Sequence, residues 1–206
     1  MRRIRFCEET LPATDDNGPV TIAQNAVLLV IDVQRGFRDP AWGARDNPAA
    51  EANIAALGAA WAASGRPIVV VRHDSVSPGS PLAPGQPGND LIPEVAALPR
   101  ELLVTKSVNS AFYGEPSLDA WLRERTAREL VIVGVQTNMC VETTARMAGN
   151  LGYEATVPLD ATHTFDLAGP EGVSLSAAQL ATATAVNLQG GGFARVTTTA
   201  EVLAGL

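Results

Sequence analysis

The stretch Glu129–Leu151 changes periodicity midway, and that change limits the folds open to this chain. Its first half, Leu130-Val131-Ile132-Val133-Gly134-Val135, is an apolar, largely β-branched run without alternation. Such a run predicts a strand covered on both faces, as in a parallel sheet. In the second half, Val141, Thr144, Ala148 and Leu151 fall on one helical face. The period switches across Gln136-Thr137-Asn138. Cys140 is therefore expected at or just inside the start of a helix, at the carboxyl end of a strand. The first helical turn offers unpaired N–H groups and the positive end of the dipole, which favour thiolate and can hold an oxyanion. A lone cysteine in an apolar βα unit is as a rule just a small buried hydrophobe. Chemistry at Cys140 thus depends on what else the chain brings to it.

Two other buried-strand runs end in a charge. Ala26–Ile31 is followed at once by Asp32, and Glu101–Thr105 by Lys106. Further strands are expected at Ile68–Val71, Tyr153–Leu159 and Phe193–Thr197. Helices are expected at Ala49–Ser64, capped by Gly65, and from Pro116 through Leu122. Two more are expected from Ser176, which has capping-box spacing with Gln179, and over Thr199–Leu206. Strands alternating with helices predict an α/β fold: a three-layer α-β-α sandwich around a mainly parallel sheet of six strands. Residues 26–206 form one domain in this reading, and residues 1–25, rich in turn formers, form an N-terminal arm that can lie over a neighbouring subunit. Ser75–Asn89, rich in Pro and Gly, is too long for a plain connector and is a candidate lid or rim.

Composition narrows the function. The chain has 206 residues, 46% of them hydrophobic, enough for one substantial core. The net charge of -7 argues against nucleic acid or an anionic membrane surface as partner. No apolar run reaches membrane-spanning length, and the basic Met1-Arg2-Arg3-Ile4-Arg5 is not followed by a signal-like apolar core. Two cysteines far apart imply no disulfide framework; Cys7 has no context for chemistry. The expected compartment is the cytoplasm. There is no Rossmann glycine fingerprint and no phosphate-binding loop.

In a parallel sheet, Asp32, Lys106 and Cys140 all point to one edge, where open α/β sheets bind ligands. This pattern resembles the isochorismatase-like cysteine hydrolases. The residues that carry the resemblance are Val30-Ile31-Asp32-Val33-Gln34 with Phe37, and Lys106-Ser107 with Ser110-Ala111-Phe112. The third block is Gly134 to Val141 with Thr144-Ala145. The resemblance spans Val27 to Thr198. It implies that Asp32 is a general base, that Lys106 lies beside it and Cys140, and that Cys140 attacks a carbonyl carbon to give a thioester. It also implies an oxyanion hole from the N–H groups of Gln136 and Cys140, a cis peptide at Val135–Gln136, and a homo-oligomer, dimer or tetramer.

Departures from the family narrow the substrate. The nicotinamidase branch carries a metal site with histidines after the first strand, whereas Phe37–Pro48 holds none; the chain's histidines are His73 and His163. No metal and no cofactor are expected. Isochorismatases proper cleave a vinyl ether without a cysteine nucleophile, so Cys140 counts against that reaction. What remains is C–N hydrolysis of a small molecule: an amide, lactam, ureido or carbamoyl group. The alternatives are an ether hydrolase, a streptothricin-type lactam hydrolase, and a non-catalytic binding protein on the same fold. A thiol redox role is disfavoured, since Cys140 has no resolving partner nearby. Phe37, Trp42, Phe112 and Phe165 lie on loops after strands, where a pocket's apolar walls are expected, with core packing an equal alternative for each. His73, just after the second strand, is a further candidate substrate contact, with a structural role at least as expected.

Overall fold

The computed structural model describes residues 18–206. Most of the N-terminal arm, with Cys7, lies outside the described residues. Six parallel strands form the central sheet: β1 (Val27–Ile31), β2 (Ile68–His73), β3 (Leu102–Lys106), β4 (Glu129–Val135), β5 (Glu154–Pro158) and β9 (Arg195–Thr197). Their spatial order is β3-β2-β1-β4-β5-β9. A two-residue strand, β6 (Thr162–His163), pairs with the end of β4 beyond the point where β5 has left it. A short antiparallel hairpin, β7 (Leu167–Ala168) with β8 (Ser174–Leu175), stands outside this sheet.

Strand alternation sorts the core into two layers. Val27, Leu29 and Ile31 of β1 face a cluster with Leu118 and Leu122 of α3 (Leu118–Glu124), Ala145 and Ala148 of α4 (Glu142–Asn150), and Leu188 of α5 (Ala177–Gly190). Leu28 and Val30 face the other side, where Ile54, Leu57 and Trp61 of α1 (Ala50–Ser64) pack with Val95 of α2 (Pro93–Ala96) and Val202 of α6 (Thr199–Ala204). The expected three-layer sandwich is present. Gly65 ends α1 in the left-handed region at φ 68°, and Ser176 and Gln179 form their capping box. Residues 18–25 pack on their own chain: Ile22 is buried, its N–H donates to the Gly205 carbonyl, and Arg66 donates to the carbonyls of Ile22 and Ala23.

Two helix starts differ from expectation. Pro116 does not open α3; its peptide with Glu115 is cis, and Ser117 caps the helix by accepting from the Ala120 N–H. After β4 the chain makes a π-helical turn, Thr137–Val141, before α4 begins at Glu142. Leu151 falls past the end of α4 and is exposed, while Val141, Thr144 and Ala148 are buried as the helical face requires.

The order of the strands reverses between β1 and β4. This is the switch point at which doubly wound sheets open a crevice beyond the carboxyl ends of their strands. Backbones press closest here. Gly134 sits opposite Ile31 with φ 130°, and a Cβ on it would come within 2.0 Å of the Ile31 carbonyl oxygen. Gly134→Ala therefore costs both strain and a clash with backbone that cannot yield. We expect a loss of about 3 kcal/mol or more, read as a fall in Tm or in expression of folded protein.

Candidate active site

Sheet register delivers the charged groups. His73 and Lys106 are direct partners at the ends of β2 and β3, so their side chains leave the same face. Arg72, one residue earlier, turns to the other face and grips Asp74 through two hydrogen bonds of 2.8 and 3.0 Å. Asp32 follows β1 with φ 53°, a conformation few non-glycine residues adopt. Lys106 Nζ lies 2.6 Å from Asp32 Oδ2 and 3.1 Å from His73 Nδ1. An ammonium can only donate, so Nδ1 of His73 accepts and the ring is neutral with its proton on Nε2. Burial and the neighbouring ammonium both hold the His73 pKa below its ordinary value.

Cys140 completes the group. One donor atom each of Asp32, His73 and Cys140 lie within 4.8 Å of one another. Asp32 and Lys106 have no exposed side-chain surface, and Cys140 is 7% exposed. Asp32 Oδ1 has no hydrogen-bond partner among the described residues, while Oδ2 is held by Lys106. Burial raises the Asp32 pKa, opposed by the Lys106 charge. Cys140 Sγ is 3.8 Å from Asn109 Oδ1, to which the thiol donates.

The thiol differs from the sequence expectation. Its pKa is not lowered; burial, followed by the charge of Asp32, pushes it up to about 12. The pull of Lys106 and of the helix start does not offset the loss of water and the nearby carboxylate. At rest the site holds a thiol beside an ion pair. It is equipped to move a proton between sulfur and carboxylate when a bond to sulfur forms.

The peptide Val135–Gln136 is cis. The turn that follows is pinned from β6 and the residue after it. Thr137 Oγ1 donates to Thr162 Oγ1 at 2.8 Å, and Thr164 Oγ1 donates to Asn138 Oδ1 at 2.5 Å. The Thr164 N–H in turn donates to Asp46. Among the aromatic candidates, Phe37, Trp42 and Phe165 form one cluster with Val135, their ring centroids 5.3 to 6.5 Å apart. Phe112 stands apart from that cluster; it stacks on Tyr153 and packs against the α3–α4 core. His73 is partly exposed and touches Lys106 through Nδ1. Two surface hollows, of about 530 and 420 Å³, are lined around Asp160 and Glu201 and around Arg35 and Gln86, and neither includes the triad.

Sequence reasoning missed several positioning groups. Gln34 donates to the carbonyls of His73 and Asn89 and accepts the His73 N–H. Asn89 donates to His73, Asp74 and Leu82. With Leu82 and Asn89 buried, these bonds make Ser75–Asn89 a fixed rim at its inner end. Asn109 was within reach of inference, three residues after Lys106 in a short polar loop.

An acid, an amine and a thiol thus meet, buried, at the switch point of a parallel sheet. The isochorismatase domain matches residues 26–201; the chain belongs to the isochorismatase family. The Bacillus subtilis isochorismatase family protein YrdC is 35% identical over 144 residues, covering 70% of this chain and 76% of that protein. Streptothricin hydrolase of Streptomyces noursei is 33% identical over 147 residues, 71% of this chain but only 52% of that enzyme. An isochorismatase-family structure from Chromobacterium violaceum superposes with a TM-score of 0.85 at 41% identity, covering 91% of this chain and 97% of the other.

Close to the turn lies one titratable group outside the triad. His163 is buried, its Nε2 is 3.4 Å from the Arg45 guanidinium, and its Nδ1 has no partner among the described residues. Burial, with Arg45, lowers its pKa to about 4. A histidine held neutral by folding loses its contribution when the unfolded chain takes up protons and the folded one does not. Stability should be complete above pH ~6.5 and fall as pH drops from there to about 4, by at most ~3 kcal/mol. His163→Gln should flatten urea-unfolding stability across that window; an unchanged slope would refute this assignment.

Proposed function

We propose that this hydrolase cleaves a C–N bond of a small molecule through a thioester on Cys140. The observation that carries the reading is the division of labour at Asp32. One oxygen is fixed by Lys106 at 2.6 Å, and the other is buried with no partner, in a group whose members lie within 4.8 Å of the sulfur. A carboxylate short of water is a stronger base than one in solvent. The thiol has a pKa pushed up to about 12 and gives up its proton only as the carbon–sulfur bond forms.

In this reading Sγ attacks the carbonyl carbon while its proton passes to Asp32. The carbonyl oxygen becomes an oxyanion held by the N–H groups of Gln136 and Cys140. As the tetrahedral intermediate collapses, the C–N bond breaks and Asp32 returns the proton to the departing nitrogen. Water, deprotonated by Asp32, then attacks the thioester carbon; the acid leaves and Sγ recovers its proton. Lys106 keeps Asp32 oriented and ionised between steps. Phe37, Trp42 and Phe165 supply an apolar wall near Val135 for the substrate's body.

Support for the C–N class comes from relatives. Streptothricin hydrolase is one; ureidoacrylate amidohydrolase RutB of Caulobacter segnis is another, 42% identical over 99 residues, which are 48% of this chain and 40% of that enzyme. The substrate class is an amide, lactam, ureide or carbamoyl amine. An ether hydrolase on the same fold would have no use for the sulfur.

A panel of such compounds, scored for released ammonia or amine, tests the reading. Asp32→Asn should lower kcat/KM by about 10²–10⁴-fold and Cys140→Ser by more. Intact-mass spectrometry of a slow substrate should show an acyl adduct on wild type only. EDTA should leave turnover unchanged; loss that zinc restores would overturn the metal-independent mechanism, and full activity in Cys140→Ser would overturn the thioester.

A further inference from the structure

The turn that carries Cys140 has no cap of its own. Gln136, at its start, makes no side-chain hydrogen bond to the backbone of the turn. Its hold comes instead from β6 and the residue after it, through two threonines. Thr162 belongs to a chain of hydroxyls: it accepts from Thr137 and donates to the Leu159 carbonyl, both at 2.8 Å. Thr164 does something different. Its side chain is fully buried, and its Oγ1 lies 2.5 Å from Asn138 Oδ1 and 3.4 Å from Gln136 Oε1, the residues on either side of Thr137. A hydroxyl has one proton to give, and the shorter contact takes it. β6 pairs with β4 as far as Val135 opposite His163, so Thr164 stands one step further on, level with Gln136. Thr164 is itself tied to a third segment. Its N–H donates to Asp46 Oδ1 at 2.9 Å, and Arg45, beside Asp46, bridges to Phe165.

We infer that Thr164 is a positioning residue, its hydroxyl holding the Gln136–Asn138 segment so that the Gln136 N–H meets the oxygen that turns negative when sulfur attacks. This role rests on Cys140 attacking a carbonyl carbon, as in the proposed mechanism. A donor aimed at a forming oxyanion works only in place, and a misplacement of about 1 Å can cost roughly 10²-fold in rate. A neutral carbonyl oxygen is a weak acceptor, so the bound substrate gains little from that N–H and the transition state gains much. Removing the Thr164 hydroxyl therefore lowers kcat and leaves KM near its parent value. A second contrast separates aim from general support. Attack on an aldehyde forms a C–S bond and moves the carbonyl π pair onto oxygen, while the sulfur proton passes to Asp32. Attack on iodoacetamide forms a C–S bond at a saturated carbon while iodide leaves with the C–I pair, and no oxyanion arises. Thr164 matters to the first and not to the second. A threonine that merely filled space would matter to neither, and one that held up the whole crevice would matter to both.

Full-length protein carrying Cys7→Ser keeps Cys140 as its one thiol and serves as the parent. Three quantities are measured for it and for Thr164→Val, which preserves side-chain volume: amide turnover, the rate of iodoacetamide alkylation, and protection from that alkylation by propionaldehyde. We expect Thr164→Val to lower kcat by about 10–100-fold, with KM changed by less than about threefold. It should weaken propionaldehyde protection by about tenfold and alkylate within about twofold of the parent rate. Thr164→Ser, which keeps the hydroxyl, should recover most of kcat. Where Thr164→Val lowers the Tm too far to compare, Asn138→Ala removes the same hydrogen bond from its half-buried end and should show the same split. Unchanged kcat and aldehyde protection, alkylation slowed in proportion to kcat, or no recovery in Thr164→Ser would each overturn the role. If the parent turns over no amide but aldehyde protection falls in Thr164→Val, the C–N reading fails and the role of Thr164 stands. If amides turn over equally well in both proteins, the reverse holds. A parent that neither turns over amides nor is protected by the aldehyde overturns both.

Discussion

The site depends on one buried ion pair. Lys106 and Asp32 meet at 2.6 Å with neither side chain exposed. Taking two charges out of water is costly, and their attraction repays that cost only with close geometry. The sheet supplies the geometry. Lys106 ends β3, Asp32 follows β1, and β2 lies between them with His73 in register beside Lys106. The ammonium crosses the end of the intervening strand, with a neutral imidazole as its second acceptor. A buried pair of this kind is poor evidence of stability and better evidence of a task, because an apolar pair of similar volume would hold the fold at least as well.

The state of the sulfur follows from that pair. Proximity to a carboxylate and removal from solvent outweigh the helix start, so Cys140 is a thiol at rest. A standing thiolate beside Asp32 would put two negative charges against one ammonium. Keeping the proton on sulfur leaves the crevice neutral, with a carboxylate made basic by burial as its acceptor. In the proposed reaction, charge develops only when a carbonyl carbon is present to receive it. This arrangement also protects the thiol, since reactivity towards oxidants tracks thiolate character.

Much of this was legible in the sequence, for a physical reason. Strands covered on both faces are written as continuous apolar runs, and a charge that ends such a run must lie at a sheet edge. Asp32 and Lys106 are legible in that way, Cys140 through the change of period before it, and Gly65 and the Ser176–Gln179 pair as helix caps. What escaped depends on contacts between segments remote in sequence. The π-helical turn at Thr137–Val141 has no composition of its own; it is held by Thr162 and Thr164, which lie beyond β5. The direction of the Cys140 shift required knowing how little water reaches it. Phe112 and Phe165 are both aromatic residues after strands, and only packing separates the one stacked on Tyr153 from the one beside Trp42. The β7–β8 hairpin is two residues a side, too short for any periodicity to register.

The rim beside the site is sewn down by amides. Gln34 and Asn89 bind each other's neighbourhood through His73, Leu82 and Asn89 carbonyls, and only one of these bonds, Asn89 to Asp74, ends on a charge. Bonds between neutral dipoles are little screened by dissolved ions. Loosening of this segment is thus left to thermal agitation and to agents that compete for peptide groups. Changes in ionic strength leave these amide bonds as they were, in dilute buffer and in brine alike.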